Sequence, residues 1–244
     1  MNLAGTPSEW LNLIDTLVPD ILDLVTVTWT GMPPLASDVR EDPTTETLCR
    51  LLRQNRNSSN LPFQIHIQMV ELDPAAGQDQ GRMDIAFSPL VPRENIYFCL
   101  ECKRLNVVNG RRVRTYSTEY VVHGLTRFVS GQYSAAVRHG GMLGYVLNGN
   151  VMLAIESVRK IVRRRHLALG MSAPGAMQKS SIRPNDSTIK ETLHSRQNGA
   201  QPIQIHHIFV SGVGAATKAP KRAAKQTVKP GETSHSTGAS VDHA

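Results

Sequence analysis

The stretch that decides the fold is GRMDIAFSPLVPRENIYFCLECKRL, residues 81–105. Two apolar runs, RMDIAF (82–87) and IYFCLECKRL (96–105), flank the loop SPLVPREN. Both read as core strands, yet they carry Asp84, Glu101 and Lys103. An ionised side chain buried without a partner is costly, so such charges sit on a solvated edge, are paired, or hold a metal.

Strand alternation places Cys99, Glu101 and Lys103 on one face and Leu100, Cys102 and Arg104 on the other. A hairpin symmetric about residues 92 and 93 sets Asp84 opposite Glu101, with Cβ atoms about 4.5–5.5 Å apart. Two carboxylates at that range repel unless a divalent cation lies between them or one keeps its proton. Mg²⁺ suits the pairing, because it takes one or two carboxylates and completes its octahedron with water. Lys103 then reaches the same pocket as a fixed positive charge. The simpler reading of Glu101 and Lys103 is an edge-strand ion pair.

Upstream, SEWLNLIDTLVPDILDLV (8–25) has apolar residues at helical spacing, with a kink or break expected at Pro19. It reads as an N-terminal amphipathic segment (1–37) able to dock a protein partner or a second copy of the chain. EDPTTETLCRLLRQN (41–55) predicts a second helix, with Asp42 as N-cap, Pro43 at the first helical position and a Leu48, Leu51, Leu52 stripe. FQIHIQMVEL (63–72) alternates like a strand and PAAGQDQG (74–81) reads as a turn.

Downstream, NGRRVRTYS (109–117) reads as a polar loop, residues 118–141 as helix interrupted by glycines, MLGYVL (142–147) as a strand and residues 150–169 as a strong helix. A low-complexity patch (170–190) precedes a last strand, IQIHHIFV (203–210). Three neighbouring strands, then one reached through a helix, predict an α/β fold: a mixed central β-sheet flanked by helices. One domain over 38–212 and a disordered basic tail over 213–244 complete the expected organisation.

Asp-(x)n-Glu-x-Lys on a hairpin resembles the PD-(D/E)xK nuclease superfamily, the restriction-endonuclease-like fold. The resemblance implies that Asp84 and Glu101 bind Mg²⁺ (or Mn²⁺), that the Cys102 backbone carbonyl adds a metal contact, and that Lys103 orients the attacking water. Many members draw a further acid from the preceding helix, and Glu46 stands there. It also implies a core of helix, three strands, helix and strand, hydrolysis of DNA phosphodiester bonds, and 5′-phosphate products. The chain has Met83 where many members have proline. Gln132 and Tyr133 are adjacent, where one branch spaces Gln and Tyr by three residues; Gln132 is retained as a site candidate. Arg111, Arg112 and Arg114 leave the proposed site where a DNA backbone would approach. The alternative is a module that kept the fold without turnover and binds DNA or a protein partner.

The bulk numbers agree with an anionic partner without requiring one: 244 residues, 40% hydrophobic, net charge +7 and pI near 9.6. The tail holds Lys218, Lys221, Arg222, Lys225 and Lys229, so the remainder is only mildly basic. Three cysteines suggest a reducing compartment, and no signal peptide or membrane span is expected, so the protein is read as cytoplasmic. The CLEC motif (99–102) does not read as zinc, since a spacing of three in a strand sends its sulfurs to opposite faces and no second Cys pair exists. The basic run RKIVRRRH (159–166) reads either as a phosphate-contacting surface or as a solvated helix face.

Overall fold

The computed structural model describes residues 5–72, 74, 76–91, 93, 95–133, 135–196 and 200–213. Helix α1 (Pro7–Thr30) opens on a capping box: the Thr6 hydroxyl accepts from the Glu9 amide, and the Glu9 carboxylate accepts from the Thr6 amide. The helix runs through Pro19 without the expected break. Its stripe of Ile14, Leu17, Val18, Ile21, Leu22 and Val25 is buried against helix α2 (Glu41–Ser58) and one face of the sheet. At about 1.5–3 kcal/mol per fully buried apolar side chain, that face contributes on the order of 10 kcal/mol, comparable with a whole domain's net stability. The stripe offered to a protein partner or second copy is thus already used, and α1 belongs to the same compact unit as the rest of the described residues.

Strands β1 (Phe63–Val70), β2 (Arg82–Pro89) and β3 (Phe98–Leu105) form an antiparallel meander. The β2–β3 pairs are Ile85–Leu100, Ala86–Cys99 and Phe87–Phe98, the register expected from hairpin symmetry. A small hairpin, β4 (Val107–Asn109) and β5 (Arg112–Arg114), occupies what reads as a polar loop. It turns at Gly110-Arg111, where Gly110 has φ 58°, a geometry that glycine adopts without strain. Helix α3 follows in three pieces, Ser117–Glu119, a π-helical Tyr120–Leu125 and Thr126–Val129. Strand β6 (His139–Val146) pairs parallel to β3, and after helix α4 (Val151–Arg164) the chain adds β7 (Gln178–Lys179), β8 (Ile189–His194) and β9 (Ile203–Ser211).

The seven-stranded mixed sheet has the order β1-β2-β3-β6-β9-β8-β7. Phe63, Phe87, Leu100 and Ile208 face α1 and α2, whereas Cys99, Met142, Ile205 and Phe209 face α3 and α4. The fold is therefore α/β with helices on both sheet faces. β8 begins at the end of the expected low-complexity patch (170–190) and runs on through residues for which no element is expected; its pattern is inverted, with Thr192 and His194 buried and Leu193 exposed. The polar inward residues hide the apolar period by which a strand is read. No helix among the described residues is long and apolar enough to cross a membrane. From residue 214 onward, the expected tail lies outside the described residues.

Candidate active site

Glu101 points from β3 toward α3, and its side chain is fully buried. The π segment brings the helix close here, with the Thr126 amide donating to the Val121 carbonyl five residues back. A Cβ on Gly124 would stand 2.6 Å from Met142 Cε and 3.5 Å from Glu101 Cγ, so glycine permits the approach. Three residues on, Arg127 Nη1 donates to Glu101 Oε1 at 2.9 Å and to the Tyr133 hydroxyl at 2.6 Å. That hydroxyl donates in turn to the Arg82 carbonyl at the start of β2.

Lys103 completes the group. Its ammonium donates to Glu101 Oε1 at 2.7 Å, Glu41 Oε1 at 3.0 Å and the Cys102 carbonyl at 2.9 Å, which uses all three of its protons. Burial opposes its charge, but Glu101, Glu41 and Asp84 outweigh burial and raise its pKa. The second Glu41 oxygen accepts from the Arg104 amide at 3.1 Å, so α2 is tied to β3 through both oxygens of one side chain.

Asp84 Oδ2 accepts from the Cys102 amide at 2.6 Å. Burial, then the Glu101 charge, push its pKa up to about 7; Lys103 and the amide only partly offset them. Glu101 Oε2 is buried and has no hydrogen-bond partner among the described residues. Leaving such a buried acceptor empty costs about 1–3 kcal/mol, more where the group is charged.

The structure brings Asp84, Glu101 and Lys103 into one group: Lys103 pairs with Glu101, and Asp84 feels the charge of both. The Cys102 backbone also belongs to the group, but in a changed role: its carbonyl is engaged by Lys103 and its amide serves Asp84. Glu46 does not join them. It is exposed and lines a shallow groove with Cys49, Arg50, Arg53, Gln54, Asn57 and Ile67. The helix begins at Glu41, with Arg40 rather than Asp42 at the N-cap, and positions five apart on a helix diverge by about 140°. Glu41 occupies the position expected of Glu46.

Gln132 is also turned away, its amide donating to the Asp79 carbonyl at 3.2 Å. Arg111, Arg112 and Arg114 are exposed around the β4–β5 hairpin; Arg114 pairs with Glu119 at 2.7 Å and lies over the Tyr116 ring, which Arg104 also approaches. Sequence reasoning misses Glu41, Arg127 and Tyr133. The π insertion shifts helical phase by about one residue, so a 3.6-residue period does not aim Arg127 at Glu101.

Asp84 and Glu101 place two carboxylates in one group, with one buried Glu101 oxygen unpartnered among the described residues. Among the described residues, no group of three or more His, Cys, Asp or Glu side chains is spaced to hold a metal ion. Cys99 and Cys102 pack on opposite faces of the sheet, as strand alternation predicts. No family model, no curated protein and no solved structure matches this chain.

Proposed function

We propose that this chain is a Mg²⁺- or Mn²⁺-dependent deoxyribonuclease with a restriction-endonuclease-like core of the PD-(D/E)xK kind. The observation that carries the reading is the empty, buried Glu101 Oε2 next to Asp84, in a group where Lys103 is held by three acceptors. The order α2, β1–β2–β3, α3, β6 supports it, being the core that the superfamily resemblance implies. A divalent cation, when bound, supplies an acidified water and polarises a phosphoryl oxygen.

The chain's residues divide the remaining work. Asp84 and Glu101 provide the carboxylates, and Glu41 fixes Lys103 so that its positive charge offsets charge growing on the phosphate. Arg111 and Arg112 on the exposed hairpin hold the DNA backbone without reading sequence. The site of action is cytoplasmic.

The test is incubation of purified protein with Mg²⁺ or Mn²⁺ and a panel of plasmid, linear, branched and single-stranded DNA. Cleavage to 5′-phosphate ends that Lys103→Ala abolishes is expected; no cleavage of any substrate rejects the enzyme. One observation favours a second reading, a binding module without turnover: Lys103 and Arg127 already offset the Glu101 charge. Calorimetric titration with Mn²⁺ separates the two. Binding lost in Asp84→Ala supports the enzyme, and no binding in either protein, with DNA affinity retained, supports the module.

A further inference from the structure

Two cations share Glu101 Oε1, and they are held very differently. Lys103 has every proton committed and its side chain is 16% exposed. Arg127 donates through Nη1 alone, its side chain is 37% exposed, and its Nη2 and Nε make no hydrogen bond among the described residues. It also has a second resting place, since its guanidinium lies 5.5 Å from the centre of the Tyr133 ring, which is anchored by the Arg82 carbonyl. One cation is held by three acceptors, the other by two through a single nitrogen.

We propose that Arg127 is a displaceable counter-cation: it occupies Glu101 while no divalent ion is present, and turns to a backbone phosphate of the bound strand once such an ion takes Glu101. This rests on the nuclease reading of the same site. Two considerations carry it. A divalent ion beside Glu101 places like charge against Arg127, which weakens the Arg127–Glu101 contact and leaves Lys103, held by Glu41 and the Cys102 carbonyl, in place. The guanidinium is a planar fork of donors matched to phosphate oxygens, and the nitrogens that make no contact are the ones needed for a two-point grip. Loss of the Glu101 contact leaves Arg127 its ring contact with Tyr133, from which the fork can face the incoming strand.

The test uses the full chain, comparing wild type, Arg127→Ala, Arg127→Lys and Asp84→Ala, each checked by circular dichroism for native fold. Titration with Mn²⁺ without DNA is the first readout. Arg127→Ala is expected to bind the ion about tenfold more tightly, a gain worth ~1.4 kcal/mol. The second readout is affinity for a DNA duplex in Ca²⁺, expected to fall about tenfold in Arg127→Ala and to be partly kept by Arg127→Lys. Mn²⁺ affinity that is unchanged or weakened in a folded Arg127→Ala, or unaltered DNA affinity, overturns the proposal. Failure of the underlying reading looks different: Asp84→Ala then binds Mn²⁺ as wild type does, or wild type cuts no DNA. If Arg127→Ala fails to fold, the same readouts are taken on Arg127→Gln, which keeps the aliphatic stem of the side chain without the charge.

Discussion

Glu41 and Lys103, 62 residues apart in the chain, meet at 3.0 Å, and the second Glu41 oxygen accepts from the Arg104 amide. One side chain at the start of α2 thereby sets where the ammonium of the site can stand. Glu46, five residues further along the same helix, faces solvent and takes no part.

The two glutamates should therefore behave oppositely. Glu41→Ala leaves an amide and one ammonium proton without acceptors and is expected to cost about 1–3 kcal/mol in a urea unfolding experiment. Glu46→Ala should fall within about 0.5 kcal/mol of wild type, as exposed substitutions usually do. A larger loss at Glu46 than at Glu41 would contradict the placement of α2.

Asp84 is a charge that the fold tolerates at a cost. Its pKa, about 7 in the folded chain against an ordinary 3.8, means that folding takes up a proton between those values. Stability from this group is present at low pH and is lost as pH rises toward 7. Asp84→Asn keeps an oxygen for the Cys102 amide and removes the charge. A gain of roughly 1–2 kcal/mol at pH 8, shrinking to nothing near pH 3, is expected from thermal melts, together with loss of Mn²⁺ binding in calorimetry.

A second polar group lies in the core on the α3–α4 side. Leu169 can only accept through its carbonyl, so His194 Nδ1 donates to it at 2.8 Å, and His194 Nε2 accepts from the Thr192 hydroxyl at 2.6 Å. Thr192 then accepts from His207 Nε2 at 2.8 Å, and His207 Nδ1 accepts from Tyr120 at 3.0 Å. Every tautomer follows from that one carbonyl. Thr192→Val keeps the shape and strands one donor and one acceptor, so a loss of about 2–4 kcal/mol is expected by chemical denaturation, and less for Thr192→Ser.

His194 and His207, together with the buried His206 beside His139, also set the acid limit. Burial holds the His194 pKa down to about 4 and that of His206 down to about 3, and keeps His207 well below its ordinary value. The unfolded chain binds protons near pH 6.5 that the folded chain refuses, so stability falls as pH drops from 6.5 toward 4, by up to about 1.4 kcal/mol per unit for each ring. Asp84 runs the other way over the same window and masks about one ring's worth. Denaturation midpoints measured between pH 4.5 and 7 should therefore fall more steeply in Asp84→Asn than in wild type. Parallel slopes would show that Asp84 titrates normally.

The residues alone fix a good deal here. Apolar alternation in 82–87 and 96–105, with a loop of known length, determines the β2–β3 register and hence the meeting of Asp84 with Glu101 and Lys103, because strand period and hairpin symmetry are local properties. The same holds for the helical stripe of α1 and for the mixed sheet. What the chain does not spell out is how one element is rotated against another. Which glutamate of α2 reaches Lys103 depends on helical phase relative to a strand 62 residues away. That Arg127 lands on Glu101 depends on a π turn and the close approach at Gly124. β8 hides its strand character because its inward residues are Thr192 and His194, whose burial is tolerable only once His207 and the Leu169 carbonyl are in place. Local periodicity decides which elements form. Packing, which balances buried charge and polar groups across distant segments, decides which side chains share a site.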